Sequence, residues 1–251
     1  MRPAAGLVAE TLAPGAALEI AGQRPYGLAP EGTPGFRPAL EYLRDAAALR
    51  RRLDEGRAEL DVSRSDIPAT FVAQLHAWAL SAPPAAALLA TRRVPVLAPA
   101  SVAIAPARGT RAPAFGLLDT TIAVLPGDAA AGAPGTLTVA DRDGLVRVLW
   151  AAVEAHLELL VPALSTATGR PERALWGDAS RLAPPRLAGG ARPVLVDVEG
   201  SPEMVLERAG CCLAYRCPAF PQPCVGCPLT PAAERPARLA AARAQRPSTV
   251  G

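Results

Sequence analysis

DRDGLVRVLWAAVEAHLELL, Asp141–Leu160, carries Leu145, Val148, Leu149, Ala152, His156, Leu159 and Leu160 at three- and four-residue intervals. That spacing puts all seven on one side of an α-helix. The helix starts near Asp141 or Asp143 and runs to about Thr168. Glu154 and Glu158 lie one turn apart on another face. A histidine inside an apolar stripe reads as a buried group hydrogen-bonded to backbone or side chain, with a ligand or proton donor as the alternative for His156. The stripe decides the fold, because the rest of the chain must supply the layers that cover it.

Working upstream, the pattern changes from helical to extended. Val94–Leu97, Val102–Ile104, Phe115–Leu118, Thr121–Val124 and Thr136–Val139 are short β-branched runs divided by Gly and Pro. They predict a small antiparallel sheet of about three to five strands. Gly127–Gly135 reads as an Ala/Gly loop. Ile67, Phe71, Leu75 and Trp78 recur at helical spacing as a core stripe, with Asp66 as cap and Pro68 near the first turn. His76 lies off that stripe and is expected in solvent. Pro83-Pro84 is expected to break this helix, with a short Ala/Leu helix after it. Residues 38–57 read as another helix. Leu40, Leu43, Ala47 and Leu49 are its apolar side, and Arg50, Arg51, Arg52, Asp54 and Glu55 its solvated face. Residues 1–37 read as loop with at most one short helix.

Downstream, a helix is expected over 171–183, including Leu175-Trp176-Gly177. Val194–Val196 reads as a strand or extended connector, Glu203–Arg208 as one or two helical turns, and 232–245 as a helix interrupted near Pro236. The expected class is α+β and mainly helical, with a small antiparallel sheet in the middle and a C-terminal cysteine-rich iron–sulfur loop. Residues 1–140 would form a helical segment plus the sheet. Residues 141–251 would carry the helical part and the cysteine motif, the two making one compact unit.

Composition narrows the function classes. Half of the 251 residues are hydrophobic and 20% are charged, so the chain is globular, and 28 prolines with 21 glycines imply many loops. There is no Lys and no Asn, so all 26 basic residues are Arg. With so much Ala, Pro and Gly, this is the composition of a GC-rich genome. Any anion site must use Arg or backbone N–H groups. A net charge of +3 without a basic block, and few aromatics, argue against nucleic acid as a partner. Residues 1–20 lack the pattern of a signal peptide, and no long charge-free apolar run reads as a membrane span. A cytoplasmic setting is expected, where clustered cysteines bind metal or do redox chemistry.

All five cysteines fall in the seventeen residues from Cys211 to Cys227, after 210 residues without one. Cys224-Val-Gly-Cys227 places two thiols on one tight turn, which suits one iron or one zinc. The adjacent pair Cys211-Cys212 points its side chains in different directions, which makes one ion awkward to hold; a cluster with two irons, or a folded loop, relaxes that constraint. The array is C-C-x11-C-x2-C, with Cys217 inside the spacer.

This array resembles that of the ferric siderophore reductases of the FhuF type. Their signature is a C-terminal C-C-x10-C-x2-C array holding a 2Fe–2S cluster, with a Tyr shortly after the pair and a Pro after the last Cys. Cys211-Cys212-Leu-Ala-Tyr215-Arg216 and Cys224-Val-Gly-Cys227-Pro228 follow it. Leu175-Trp176-Gly177-Asp178 is similar to the family's Leu-Trp-Gly-Asn region, and the likeness covers roughly residues 140–230. The spacer is one residue longer than usual, and Cys217 stands where an apolar residue is commoner. It is either a small buried thiol or an alternative ligand.

The resemblance implies Cys211, Cys212, Cys224 and Cys227 as cluster ligands, and a one-electron reductase that releases iron from a ferric siderophore. No G-x-G-x-x-G motif is present, so a separate ferredoxin-like or flavin donor is expected. Arg208 and Arg216 flank the first pair and would offset thiolate charge or guide an anionic siderophore, or be plain surface arginines. Tyr215 would pack over the cluster or hydrogen-bond a sulfur, and Trp176 would anchor the tail to the long helix. Two other readings stay open. One is a structural four-cysteine zinc module; the other is an iron–sulfur sensor or accessory protein without reductase activity. A hydrolase reading lacks a G-x-S-x-G elbow and has only two histidines to draw on.

Overall fold

In a computed structural model of the chain, the described residues are 5–16, 26–27, 35–105, 107–118, 121–173, 175, 192–207, 211, 213–218 and 220–244. The helices are α1 (Ala5–Ala16), α2 (Ala39–Tyr42), α3 (Ala46–Leu60), α4 (Asp66–Thr91), α5 (Arg142–Thr168) and α6 (Arg235–Ala244). The strands are β1 (Tyr26–Gly27), β2 (Arg37–Pro38), β3 (Val94–Pro95), β4 (Val102–Ala105), β5 (Ala114–Leu117), β6 (Ile122–Val124), β7 (Thr136–Thr138), β8 (Arg192–Val198) and β9 (Ser201–Glu207).

α5 is the long helix expected from the apolar stripe. The Asp141 carboxylate accepts the Gly144 N–H at 2.7 Å and starts it. Gly169 ends it in the left-handed region at φ 71°, its N–H bonded to the Ser165 carbonyl at 2.8 Å. The buried face of α5 packs on α3 and α4. It is the one helix among the described residues long and apolar enough to cross a membrane, and half of its most apolar window is buried in the protein.

α4 differs from expectation in three ways. It runs unbroken through Pro83 and Pro84, both buried in the core beside Ala87 and Leu88, and that burial offsets the backbone bonds the prolines cannot make. Its N-cap is Ser65, and Asp66 sits in the first turn, paired with Arg64 at 2.6 Å. Its stripe is only part of its buried face: Ile67 and Leu75 are buried and Phe71 half-buried. Trp78 is 40% exposed, whereas His76, expected in solvent, is 1% exposed. α1, α3 and α5 all pack on α4, so most of its circumference is covered.

The helix expected over 38–57 is two helices. The Asp45 carboxylate accepts the Ala48 N–H at 2.9 Å and starts α3 anew. Arg52, expected on a solvated face, is only 4% exposed. Residues 1–37 hold α1, β1 and the first residue of β2.

The extended runs are strands, but they do not form one antiparallel sheet. One sheet has the order β1-β5-β4-β2 and the other β3-β6-β7. The pairs β1–β5 and β6–β7 are parallel, the rest antiparallel. The 127–135 stretch folds as successive turns, tied down where Arg93 pairs with Asp128 at 2.7 Å. Leu49 and Leu53 of α3, Leu80 of α4, Phe115 of β5, and Leu157 and Leu160 of α5 meet in one cluster that Leu175 joins. The rest of the expected 171–183 helix, apart from residues 171–173, lies outside the described residues, as do Trp176, Gly177 and Asp178.

The centre of this core is polar. His156 Nε2 lies 3.0 Å from the Leu97 carbonyl, and His156 Nδ1 lies 3.2 Å from His76 Nε2. A carbonyl only accepts, so His156 carries its hydrogen on Nε2 and accepts at Nδ1 from the Nε2–H of His76. The Phe115 ring stands edge-on to both imidazoles. Burial holds both below the ordinary histidine range. His156 is pushed down to about 4, and burial, with the neighbouring His156 and Arg52, holds His76 well below its usual value. The pair is neutral, and the buried-histidine reading of His156 describes it.

Candidate metal centre

The cysteine tail begins with a hairpin where helical turns were expected at Glu203. β8 and β9 pair antiparallel, with Val194 opposite Val205. Glu199 and Gly200 both have positive φ, the backbone that a two-residue hairpin turn needs. The Asp197 carboxylate closes the turn by accepting the Gly200 N–H at 2.7 Å. Period-two alternation then decides the faces. Val196, Val198 and Val205 are buried while Leu195 is 73% exposed. Val225, from between the last two cysteines, packs on that valine face with Leu239 and Ala240 of α6.

Cys224 and Cys227 close a tight turn, the Cys227 N–H donating to the Cys224 carbonyl at 2.9 Å. A second turn follows at once, Thr230 N–H to Cys227 carbonyl at 3.0 Å. The buried Thr230 hydroxyl donates back to the Cys224 carbonyl at 2.9 Å. α6, preceded by the 3-10 turn Ala232–Glu234, braces this knuckle from outside. Arg238 donates to the Pro223 carbonyl at 2.7 Å and pairs with Glu234 at 2.8 Å. Arg235 donates to Glu207 at the end of β9 at 2.6 Å and to the Thr230 carbonyl at 3.4 Å. The backbone of the C-x2-C unit is therefore fixed by its own residues and two arginines. Cys224 is exposed and Cys227 buried.

The first part of the array has a different support. Cys211 is half-buried, and its sulfur accepts the Leu213 N–H at 3.3 Å. Leu213 adopts φ 62°, a left-handed conformation that costs a non-glycine residue about 1 kcal/mol and reverses the chain directly after the pair. A 3-10 turn, Ala214–Arg216, leads to Cys217. Cys217 is buried with Leu60, Ile67, Val62, Phe71 and Leu213 against the α3–α4 corner. The Phe220 ring stacks on Phe71 with centroids 6.3 Å apart. The exposed Arg216 lies over the Tyr215 ring at 5.8 Å and bonds its hydroxyl at 3.4 Å. These two side chains engage each other.

Of the expected ligands, Cys211, Cys224 and Cys227 are described; Cys212 and Arg208 lie outside the described residues. Among the described residues no three His, Cys, Asp or Glu side chains form a group that could hold a metal ion. The Cys224–Cys227 turn has the donor chemistry and local shape of a two-thiolate knuckle. The N–H directed at the Cys211 sulfur is the kind of contact that tunes a thiolate ligand.

Arg235, Arg238, Glu207 and Thr230 were missed by sequence reasoning. The usable signal is Arg235 and Arg238 one helical turn apart, a few residues beyond the last cysteine. No family model, no curated protein and no solved structure matches the chain.

Proposed function

We propose that this protein is an iron–sulfur ferric siderophore reductase working in the cytoplasm, with Cys211, Cys212, Cys224 and Cys227 holding a 2Fe–2S cluster. The observation that carries the reading is the braced Cys224–Cys227 knuckle in a cysteine array of nearly family spacing. When bound, a 2Fe–2S group supplies a one-electron carrier. One electron from a ferredoxin-like or flavin donor reduces ferric to ferrous iron in the siderophore. Hard oxygen donors hold the ferrous ion less tightly, and the metal leaves.

The chain's own residues have definite parts in this. Thr230, Arg235 and Arg238 fix the carbonyls around the knuckle, so little rearrangement is needed for Cys224 and Cys227 to bind. The exposed Cys224 puts one ligand at the surface, where donor and acceptor can approach. The Leu213 N–H supplies positive dipole to the Cys211 sulfur and raises the potential of anything that sulfur binds.

The test is anaerobic purification with visible spectroscopy and assays of iron, zinc and acid-labile sulfide on one sample. The expected result is a red-brown protein with about two irons and two sulfides per chain. Dithionite bleaches it, and stoichiometric ferric siderophore then reoxidises it rapidly. Cys224→Ser is expected to lose the chromophore. A colourless protein with about one zinc per chain refutes the redox reading and makes the tail a structural staple. A cluster that siderophores do not reoxidise leaves a sensor or accessory protein.

A further inference from the structure

We propose that the cleft between α3, β2 and the 107–111 loop binds a compact, doubly charged oxyanion. The inference is independent of the iron–sulfur reading. The cleft holds about 190 Å³ and is lined by Arg37, Tyr42, Arg51, Arg52, Glu55 and Arg108. Four guanidinium groups from three separate segments converge there. Two carboxylates answer them, Asp45 paired with Arg37 at 3.0 Å and Glu55 on the cleft wall. Four positive charges against two negative leave an excess that a dianion would balance. In a chain without lysine, an arginine cluster is one of the two forms an anion site can take.

Arg52 is the second observation. It is buried, yet all its partners are neutral: the Gly109 carbonyl at 3.1 Å, the Arg111 carbonyl at 2.6 Å and the Tyr42 hydroxyl at 3.4 Å. No carboxylate pairs with it among the described residues. Among the described residues these bonds account for three of its five N–H groups. A buried cation without a counter-ion is costly, and an anion in the cleft supplies one. The walls are already in position. Glu55 accepts the Gly109 N–H at 3.1 Å and Glu59 the Thr110 N–H at 2.9 Å, so the loop is clamped to α3. The volume admits a phosphate or a small polycarboxylate and is below the range of nucleotide-sized pockets.

The test is calorimetric titration of the full-length protein at low salt with inorganic phosphate and, separately, with succinate. Arg51 and Arg108 are exposed, so Arg51→Ala/Arg108→Ala should fold normally, which its melting temperature checks. Arg142→Ala/Arg173→Ala removes the same charge from exposed positions elsewhere. The wild type is expected to bind one equivalent of at least one probe. The cleft variant should bind at least about tenfold more weakly, and the control variant should match the wild type. Which probe binds more tightly tells a tetrahedral from a carboxylate ligand. No saturable binding below about 10 mM overturns the proposal, as does a cleft variant that binds no worse than the control.

Discussion

Lowering the pH from neutral should destabilise this protein through the His76–His156 pair. Both imidazoles are buried and neutral, and both have folded-state values below their ordinary one of 6.5. The unfolded chain therefore binds protons that the folded chain refuses. Stability is fully present above the unfolded value and drains away as the pH falls toward the folded one. For His156 the fall from 6.5 to about 4 corresponds to about 3 kcal/mol at about 1.4 kcal/mol per pH unit. Between about pH 7 and about pH 5 His156 loses about 2 kcal/mol, and His76, also held below its usual value, adds to the loss in the same direction. A loss of about 2 kcal/mol from His156 alone is already a sizeable part of the roughly 5–15 kcal/mol that holds a domain together. Asp45, Asp66 and Asp128 all have values lowered below 3.8 and stay ionised across this interval. The assay is urea unfolding followed by circular dichroism at closely spaced pH values, with the m-value compared at each. His76→Leu/His156→Leu is expected to lower stability at neutral pH, because the Leu97 carbonyl loses its donor, and to flatten the slope. A wild type equally stable at both ends of the interval would refute the neutral-pair assignment, and so would a double variant that keeps the slope.

Three further outcomes are expected. Arg235→Met removes the 2.6 Å pair with Glu207 and the bond to Thr230, and should cost about 2 kcal/mol in chemical unfolding, with faster proteolysis of the tail. Gly56→Ala would put a Cβ 2.9 Å from the Pro68 Cβ where α3 meets α4. It should lower the melting temperature, by about 1–3 kcal/mol in stability, although alanine favours a helix interior. Cys217→Ser buries a hydroxyl among Leu60, Ile67 and Phe71 and should cost about 1–3 kcal/mol, while the visible spectrum of the anaerobic protein stays nearly unchanged. Collapse of that spectrum would put Cys217 in the ligand set.

What the sequence made legible follows from range. α5 was readable because its cap, its apolar face and its terminator are all local. The strands were readable as segments, but their partners lie far along the chain, so the split into two sheets with parallel pairs was not. α4 misled for a related reason. A stripe predicts burial only when one side of a helix is covered, and three helices cover this one, so His76 went inside and Trp78 stayed near the surface. Arg52 sits in a charge run that looks solvated. It is buried because the 107–111 loop, more than fifty residues away, folds over it.

The spacer between Cys212 and Cys224 holds eleven residues, and its described part joins two separate supports. After the pair, the chain reverses at Leu213, makes a 3-10 turn, sinks Cys217 and Leu213 into the α3–α4 corner and stacks Phe220 on Phe71. It then crosses to the knuckle, which rests on a different support, the β8–β9 hairpin and α6. The spacer therefore spans two anchor points, and Cys217 is part of the first. Drawing its sulfur to a metal would pull an apolar contact out of that corner and expose Leu60 and Ile67, which are buried now. A thiol seated in this way is a small buried group held by packing.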